Sequence, residues 1–137
     1  MHINPYLSFN GKCAEAFKFY AQVLGGENVM MMTYGESPMA AQTAPEHKDR
    51  IMHARLKAGD VVLMGADAPP QFYQPMQGMV VTLSVDAPAE AERIFKALSE
   101  NGTVRMPIQE TFWAQRFGML IDRFGTPWMV NCEKPGM

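Results

Sequence analysis

The chain has 137 residues, of which 47% are hydrophobic and 19% charged, a composition that suits one globular domain with a core large enough to be stable without disulfides. Its formal charge of -2 comes from 12 basic and 14 acidic residues. These charges are scattered without runs, which argues against nucleic acid or an anionic membrane as a partner. No apolar run reaches the roughly 18 residues that span a bilayer. Two cysteines and the lack of a signal-peptide pattern predict a cytoplasmic protein. The expected partners are a small molecule and a second copy of the chain.

One pattern of residues occurs twice, about half the chain apart. A strand at Leu7–Phe9 precedes a helical stretch that stops at Gly25 and Gly26, and a strand at 83–85 precedes one that stops at Asn101 and Gly102. Each copy continues into a predicted hairpin, over 52–64 in the first and 117–132 in the second. Because internal repeats reveal architecture, we interpret the chain as two similar modules.

The first module begins with a strand over 3–9, on which Tyr6 and Ser8 lie on the face opposite Leu7 and Phe9. Steps of three and four residues then predict a helix whose apolar face consists of Ala14, Phe17, Ala21 and Leu24. A strand over 28–34, a loop over 36–49 and a hairpin formed by 51–57 and 61–64 complete the module.

An irregular linker over 67–78 leads to the second module, which begins with a strand at 79–82. Asp86 is the expected N-cap of a helix, whose buried stripe consists of Ala91, Ile94, Phe95 and Leu98. A short strand at 103–106, a loop at 107–115 and a hairpin around the turn at 122–127 follow. The order in each half is β-α-β-β-β, which predicts an α+β fold in which residues 1–137 form a single domain of two βαβββ modules, approximately 3–66 and 79–132. The helices lie outside, and the other sheet faces line a cleft for a ligand.

Several short motifs carry a family resemblance over nearly the whole chain. The paired βαβββ modules resemble the vicinal oxygen chelate superfamily, which includes glyoxalase I, extradiol dioxygenases and bleomycin or fosfomycin resistance proteins. Within it, the chain is similar to the PhnB-like, or 3-demethylubiquinone-9 3-methyltransferase-like, family. The matching segments are Pro5–Phe9, Leu24–Gly26, His53–Ala54, Met64–Asp67, Thr111–Ala114 and Asp122–Asn131.

The resemblance implies a divalent metal held by His and Glu side chains, but this sequence lacks those ligands. The corresponding positions fall near Asn4, at Leu63 or Met64, near Val80, and at Val130 or Asn131. Apolar side chains do not bind such cations, so we expect neither a metal nor another cofactor, although a partial site that uses His53 is an alternative. The methyltransferase label is not supported by the residues, because no glycine-rich turn between a strand and a helix is present to hold S-adenosylmethionine.

His53 and Arg55 are the main polar candidates. They alternate with Met52, Ala54 and Leu56, so they share one face of a strand. A histidine can transfer protons near neutral pH, and an arginine can bind a carboxylate or phosphonate. A simpler interpretation is a structural histidine that is hydrogen bonded to a neighbour.

Other candidates lie in the second half of the chain. Glu110 is a second possible catalytic group, with Gln109 beside it, although a loop carboxylate is usually solvated. The predicted ligand-binding set is Tyr6, His53, Arg55, Gln109, Trp113 and Trp128. The two tryptophans could stack on a planar ligand, but Trp128 is more simply explained as part of the core. Asp122 should stabilise its turn through hydrogen bonds to the backbone.

Three functions are compatible with these features. The favoured one is non-covalent binding of a small molecule in a cleft that lacks the usual metal ligands. The first alternative is an enzyme of glyoxalase or dioxygenase type that uses His53, Glu110 or a recruited divalent metal. The second is a dimeric interaction or regulatory module, built from edge strands and the loop at 107–115. A homodimer is compatible with all three.

Overall fold

The first half of the chain forms a four-stranded sheet with a helix packed against it. The computed structural model describes residues 1–26 and 28–136, and all structural statements refer to them. The strands of this half pair in the order β1-β4-β3-β2, and only β1 and β4 are parallel. The elements are β1 (Tyr6–Phe9), α1 (Cys13–Leu24), β2 (Asn28–Thr33), β3 (Ile51–Ala58) and β4 (Val61–Asp67).

The second half repeats this arrangement. Its strands pair in the order β5-β8-β7-β6, again with one parallel pair, formed by β5 and β8. The chain divides into two compact units, unit 1 (Met1–Pro75) and unit 2 (Met76–Met137). The predicted α+β fold of paired βαβββ modules is therefore confirmed. The elements of unit 2 are β5 (Val81–Ser84), α2 (Pro88–Ser99), β6 (Thr103–Gln109), β7 (Ala114–Ile121) and β8 (Pro127–Glu133).

The buried face of α1 differs from the predicted one. Phe17 is buried as expected, but Ala14, Ala21 and Leu24 are only half-buried. Phe17 packs edge-on against Phe9 and Tyr20, at ring-centroid distances of 6.2 and 5.9 Å. Burying aromatic rings removes more apolar area from water than burying alanines, which explains why the helix presents this face to the sheet. The side chains buried along α1 are Cys13, Ala16, Phe17, Tyr20 and Val23.

The buried stripe of α2 is confirmed, but its predicted N-cap is wrong. Ala91, Ile94, Phe95 and Leu98 are all buried. The N-cap is Ala87 instead of Asp86, and no side chain caps the helix. Proline is the first helical residue, and its fixed φ and missing N–H suit that position. Neither helix of the described chain has the length and hydropathy to cross a membrane.

Each unit contains one buried aspartate that accepts backbone hydrogen bonds. Asp67, at the end of β4, accepts from the backbone N–H groups of Gly11 (2.8 Å), Cys13 (3.1 Å) and Ile51 (2.9 Å). β4 extends one residue into the predicted linker because it pairs with β1 as far as Phe9 and Asp67. Asp122 accepts from the backbone N–H groups of Phe124 (2.8 Å) and Thr126 (3.0 Å), which confirms its predicted role in the turn.

Candidate functional site

The sheet of unit 1 has one face that is not covered by α1, which we call the open face. Gly65 lies on the helix side of β4, since a Cβ there would be 2.8 Å from the ring of Phe17. Side chains alternate along a strand, so the neighbours of Gly65 on β4 project to the other face. The strand registers then align Tyr6 with Met64, Met64 with Arg55, and Arg55 with Met30. The open face consists of Tyr6, Ser8, Met30, Met32, His53, Arg55, Met64 and Ala66.

Tyr6 and His53 form a direct pair on the open face. The Tyr6 hydroxyl is 3.1 Å from Nδ1 of His53, and the two rings are 5.8 Å apart at an angle of 30°. Partial burial raises the pKa of Tyr6, and the charged forms of Cys13 and Tyr34 raise it further. The phenol is therefore protonated at neutral pH. In the imidazole tautomer with its proton on Nε2, the phenol donates to Nδ1, and Nε2–H remains as a donor.

Arg55 lies two residues from His53 along β3, on the same face. Its side chain is exposed, and no ion pair within the described residues includes it. Two residues along the strand is the spacing that returns a side chain to the same face. The structure thus brings together Tyr6, His53 and Arg55.

The unit 2 candidates occupy the end of β6 and the loop after it. Gln109 is exposed and lies opposite Phe117 in the β6–β7 register. The Glu110 carboxylate is 64% exposed and pairs with Nζ of Lys134 at 3.1 Å. Trp113 is half-buried and packs edge-on against Phe112 at 4.7 Å and Phe117 at 5.3 Å. Trp113 is therefore partly accessible, whereas Glu110 is a solvated, ion-paired carboxylate.

Trp128 lies in the core of unit 2. It is 1% exposed and lies on the same face of β8 as the buried Val130 and Cys132. Its indole Nε1–H donates to Oδ2 of Asp122 at 2.8 Å. A ligand-binding role for Trp128 would therefore require a ligand to enter this core.

Asn131 is a polar group whose environment the sequence did not reveal. Its side-chain Oδ1 is buried and has no hydrogen-bond partner among the described residues. The strand registers place it beside Ser84 and Phe117. A buried acceptor without a donor costs free energy, so a ligand N–H or O–H would be stabilised there. The available signal was a polar residue in the middle of an otherwise apolar strand.

Within 1–26 and 28–136, no three His, Cys, Asp or Glu side chains are grouped so that they could hold a metal ion. His53 has Tyr6 as its ring partner. A partial site at His53 would therefore need ligands from a substrate or from water.

Comparison with known proteins identifies close relatives over the whole chain. The family model described as 3-demethylubiquinone-9 3-methyltransferase matches residues 1–131. Protein YjdN of Escherichia coli (strain K12) is 36% identical over 142 residues, which cover 98% of this chain and 97% of YjdN. The crystal structure of protein PA1353 from Pseudomonas aeruginosa is 50% identical, covers 97% of this chain and 98% of that one, and has a TM-score of 0.89.

More distant structures share the fold. The PhnB protein from Bacillus cereus is 23% identical, with a TM-score of 0.80 and coverage of 96% of this chain and 99% of that one. A glyoxalase/bleomycin resistance protein/dioxygenase superfamily member from Sphaerobacter thermophilus is 16% identical, with a TM-score of 0.57 and coverage of 97% and 98%. The chain therefore belongs to the PhnB-like family, the one described as 3-demethylubiquinone-9 3-methyltransferase, and has the fold of the glyoxalase/bleomycin resistance/dioxygenase superfamily.

Proposed function

We propose that this protein binds a small molecule non-covalently on the open face of unit 1. The observation that carries the proposal is the Tyr6–His53 hydrogen bond of 3.1 Å, next to Arg55, which is exposed and has no ion-pair partner among the described residues. Polar groups that converge on an apolar surface are the usual features of a ligand site.

The residues of the open face favour an anionic ligand with an aromatic or aliphatic body. Arg55 can donate two parallel hydrogen bonds to a carboxylate or phosphonate, and Nε2–H of His53 can donate another. Met30 and Met32 are 46% and 36% exposed. Methionine side chains are flexible and polarizable, so they can adapt to apolar ligands of different shapes.

Gln109 and Trp113 are proposed as ligand contacts of unit 2. The amide of Gln109 is exposed, and Trp113 leaves part of its ring accessible. The Oδ1 of Asn131, which has no hydrogen-bond partner among the described residues, would accept a hydrogen bond from a ligand donor. Trp128 is not included, because its indole is buried and bonded to Asp122.

The test is a thermal-shift and calorimetric screen with aromatic carboxylates and phosphonates. A ligand at a hundred times its dissociation constant adds about 2.7 kcal/mol to the free energy of unfolding. For a compound that binds, R55Q should weaken affinity about tenfold, since a charge-assisted contact is lost. K18Q removes the same charge from the exposed side of α1 and should leave affinity unchanged. Equal affinities of R55Q and K18Q would contradict the proposal.

The Tyr6–His53 pair also supports a second candidate, an enzyme in which His53 transfers a proton. The phenol would hold the ring in one orientation and tautomer, as is typical of catalytic histidines. If the protein turns over a substrate, H53Q should abolish turnover while substrate binding persists. Retention of full turnover in H53Q would show that His53 does not transfer the proton.

We further propose that the protein is a cytoplasmic homodimer. Both cysteines are free thiols, which suits a reducing compartment. The outer strand β6 leads into a loop on which Phe112 is 83% exposed, and such an apolar side chain is a candidate for burial at an interface. Analytical ultracentrifugation should show a dimer that F112S weakens. A monomer at all concentrations would refute the homodimer. It would also exclude the alternative function as a dimeric interaction module.

A further inference from the structure

We propose that unit 1 contains a second binding site, which takes a small organic anion with an apolar body, an arylphosphonate or arylcarboxylate, through Arg50. The site is a pocket of about 410 Å³ between the loop that follows β2 and the segment that follows β4. We call it the Arg50 pocket. Its volume lies within the range of about 300–1,000 Å³ that is typical of ligand sites. The residues that carry the argument are Tyr34, Met39, His47, Arg50, Pro69 and Phe72.

The guanidinium of Arg50 is held in place but is not neutralised. Its Nη2 donates to Oδ1 of Asn10 at 3.0 Å and to the carbonyl oxygen of Ala68 at 2.7 Å. Its Nε is buried and lacks a hydrogen-bond partner in the described chain. No ion pair among these residues includes Arg50. A fixed, partly buried cation without a carboxylate favours an anion, because burying an unpaired charge is costly.

The buried carboxylate of Asp67 already accepts hydrogen bonds from other groups. Asp67 accepts three backbone N–H bonds, and none of its oxygens is within ion-pair distance of Arg50. No acidic side chain is among the described residues that line the pocket. The lining therefore favours a negative ligand.

The loop that forms one side of the pocket is organised by its own hydrogen bonds. The backbone N–H groups of Tyr34 and Gly35 donate to the carbonyl oxygens of Arg50 and Lys48, each at 2.9 Å. The Tyr34 hydroxyl donates to the carbonyl oxygen of Asp67 at 2.8 Å, which joins the loop to the end of β4. A site that is ordered before binding loses less conformational entropy on binding.

Apolar side chains complete the pocket and define the ligand class. Met39 is 49% exposed and Phe72 is 72% exposed, and Pro69 lies beside them in the lining. Covering this surface would remove apolar area from water, which an inorganic ion cannot do. The combination of one fixed guanidinium with an apolar wall favours an anion that carries a ring or chain.

The test is an NMR titration of the full-length, ¹⁵N-labelled protein with phenylphosphonate, with inorganic phosphate and benzyl alcohol as comparison probes. Phenylphosphonate should shift the amide signals of 34–50 and 70–72 and bind at least about tenfold more tightly than either comparison probe. R50Q should weaken binding about tenfold. K18Q, which removes a positive charge from the exposed side of α1, should leave these shifts and the affinity that they report unchanged.

A second variant keeps the test decisive if R50Q does not fold. F72S alters an exposed side chain, so the protein should fold, and it should weaken phenylphosphonate binding several-fold because part of the apolar wall is lost. Wild-type affinity in F72S, or equal binding of phosphate and phenylphosphonate, would overturn the proposal. Shifts confined to the open face that R55Q removes would support the proposed function while refuting the Arg50 pocket.

Discussion

Replacement of Asp67 by alanine should destabilise the protein severely, although Asp67 touches no proposed ligand. Its carboxylate accepts three backbone N–H groups, those of Gly11, Cys13 and Ile51. Alanine provides no acceptor, and the side chain is 2% exposed, so water does not readily replace the lost oxygens. The bonds hold together the start of α1, the start of β3 and the end of β4.

The expected magnitude follows from the burial of the three donors. The bonds from Cys13 and Ile51 are buried, whereas the bond from Gly11 is only part-buried. A buried backbone N–H that loses its acceptor costs about 1–3 kcal/mol. Two such groups predict a loss of about 2–6 kcal/mol from the free energy of unfolding, which is a large share of the 5–15 kcal/mol, roughly, of a typical domain.

Urea unfolding followed by far-UV circular dichroism measures this loss. D67N keeps one acceptor oxygen and should fall between D67A and the wild type. D86A is the matched control, since Asp86 is exposed and does not cap α2, and it should stay within about 0.5 kcal/mol of the wild type. If D67A lost less than about 1 kcal/mol, the hydrogen bonds to Asp67 would not contribute as argued.

Three further predictions concern other buried groups. Burial and the nearby Asp67 carboxylate raise the pKa of the Cys13 thiol. Ellman's reagent should therefore not modify Cys13 near pH 8 until the protein unfolds. Rapid modification of Cys13 in the folded protein would contradict this. Burial also raises the pKa of Tyr34 above its ordinary 10.0. Ionisation of Tyr34 therefore favours the unfolded chain, so the free energy of unfolding should fall above about pH 10, less steeply in Y34F than in the wild type. Equal slopes of the free energy against pH, measured by urea titration, would argue against this. In G65A the new Cβ would be 2.8 Å from the carbonyl oxygen of Leu7 and from the ring of Phe17. The free energy of unfolding should therefore fall by about 1–3 kcal/mol, and G65A/F17L should recover part of this loss. An unchanged free energy in G65A would show that the helix can shift.

The sequence predicted features that depend on nearby residues better than those that depend on distant ones. The backbone donors to Asp122 are two and four residues along the chain, and its role in the turn was predicted. The donors to Asp67 are 56, 54 and 16 residues away, so a sequence window around Asp67 contains none of the relevant partners. The Tyr6–His53 bond joins residues 47 apart, and the sequence predicted only that both residues belong to the ligand-binding set.

The two helices also show where sequence patterns fail to predict which face of a helix is buried. On α2, charged residues separate the apolar positions, so one stripe is possible. On α1, two overlapping sets of positions are apolar, one through Ala14 and Ala21 and one through Ala16 and Tyr20. Phe17 belongs to both sets, so the choice between them depends on how the helix packs against the sheet. Periodicity along the helix does not contain that information.

The order of strands in each sheet has a consequence for synthesis of the chain. Each unit places its first strand beside its last, so Tyr6 pairs with Met64 and Val81 pairs with Trp128. A nascent chain cannot complete either sheet until the final strand of that unit has left the ribosome. All strands of the first sheet precede β5, and we therefore expect unit 1 to acquire its complete sheet while unit 2 is still being translated.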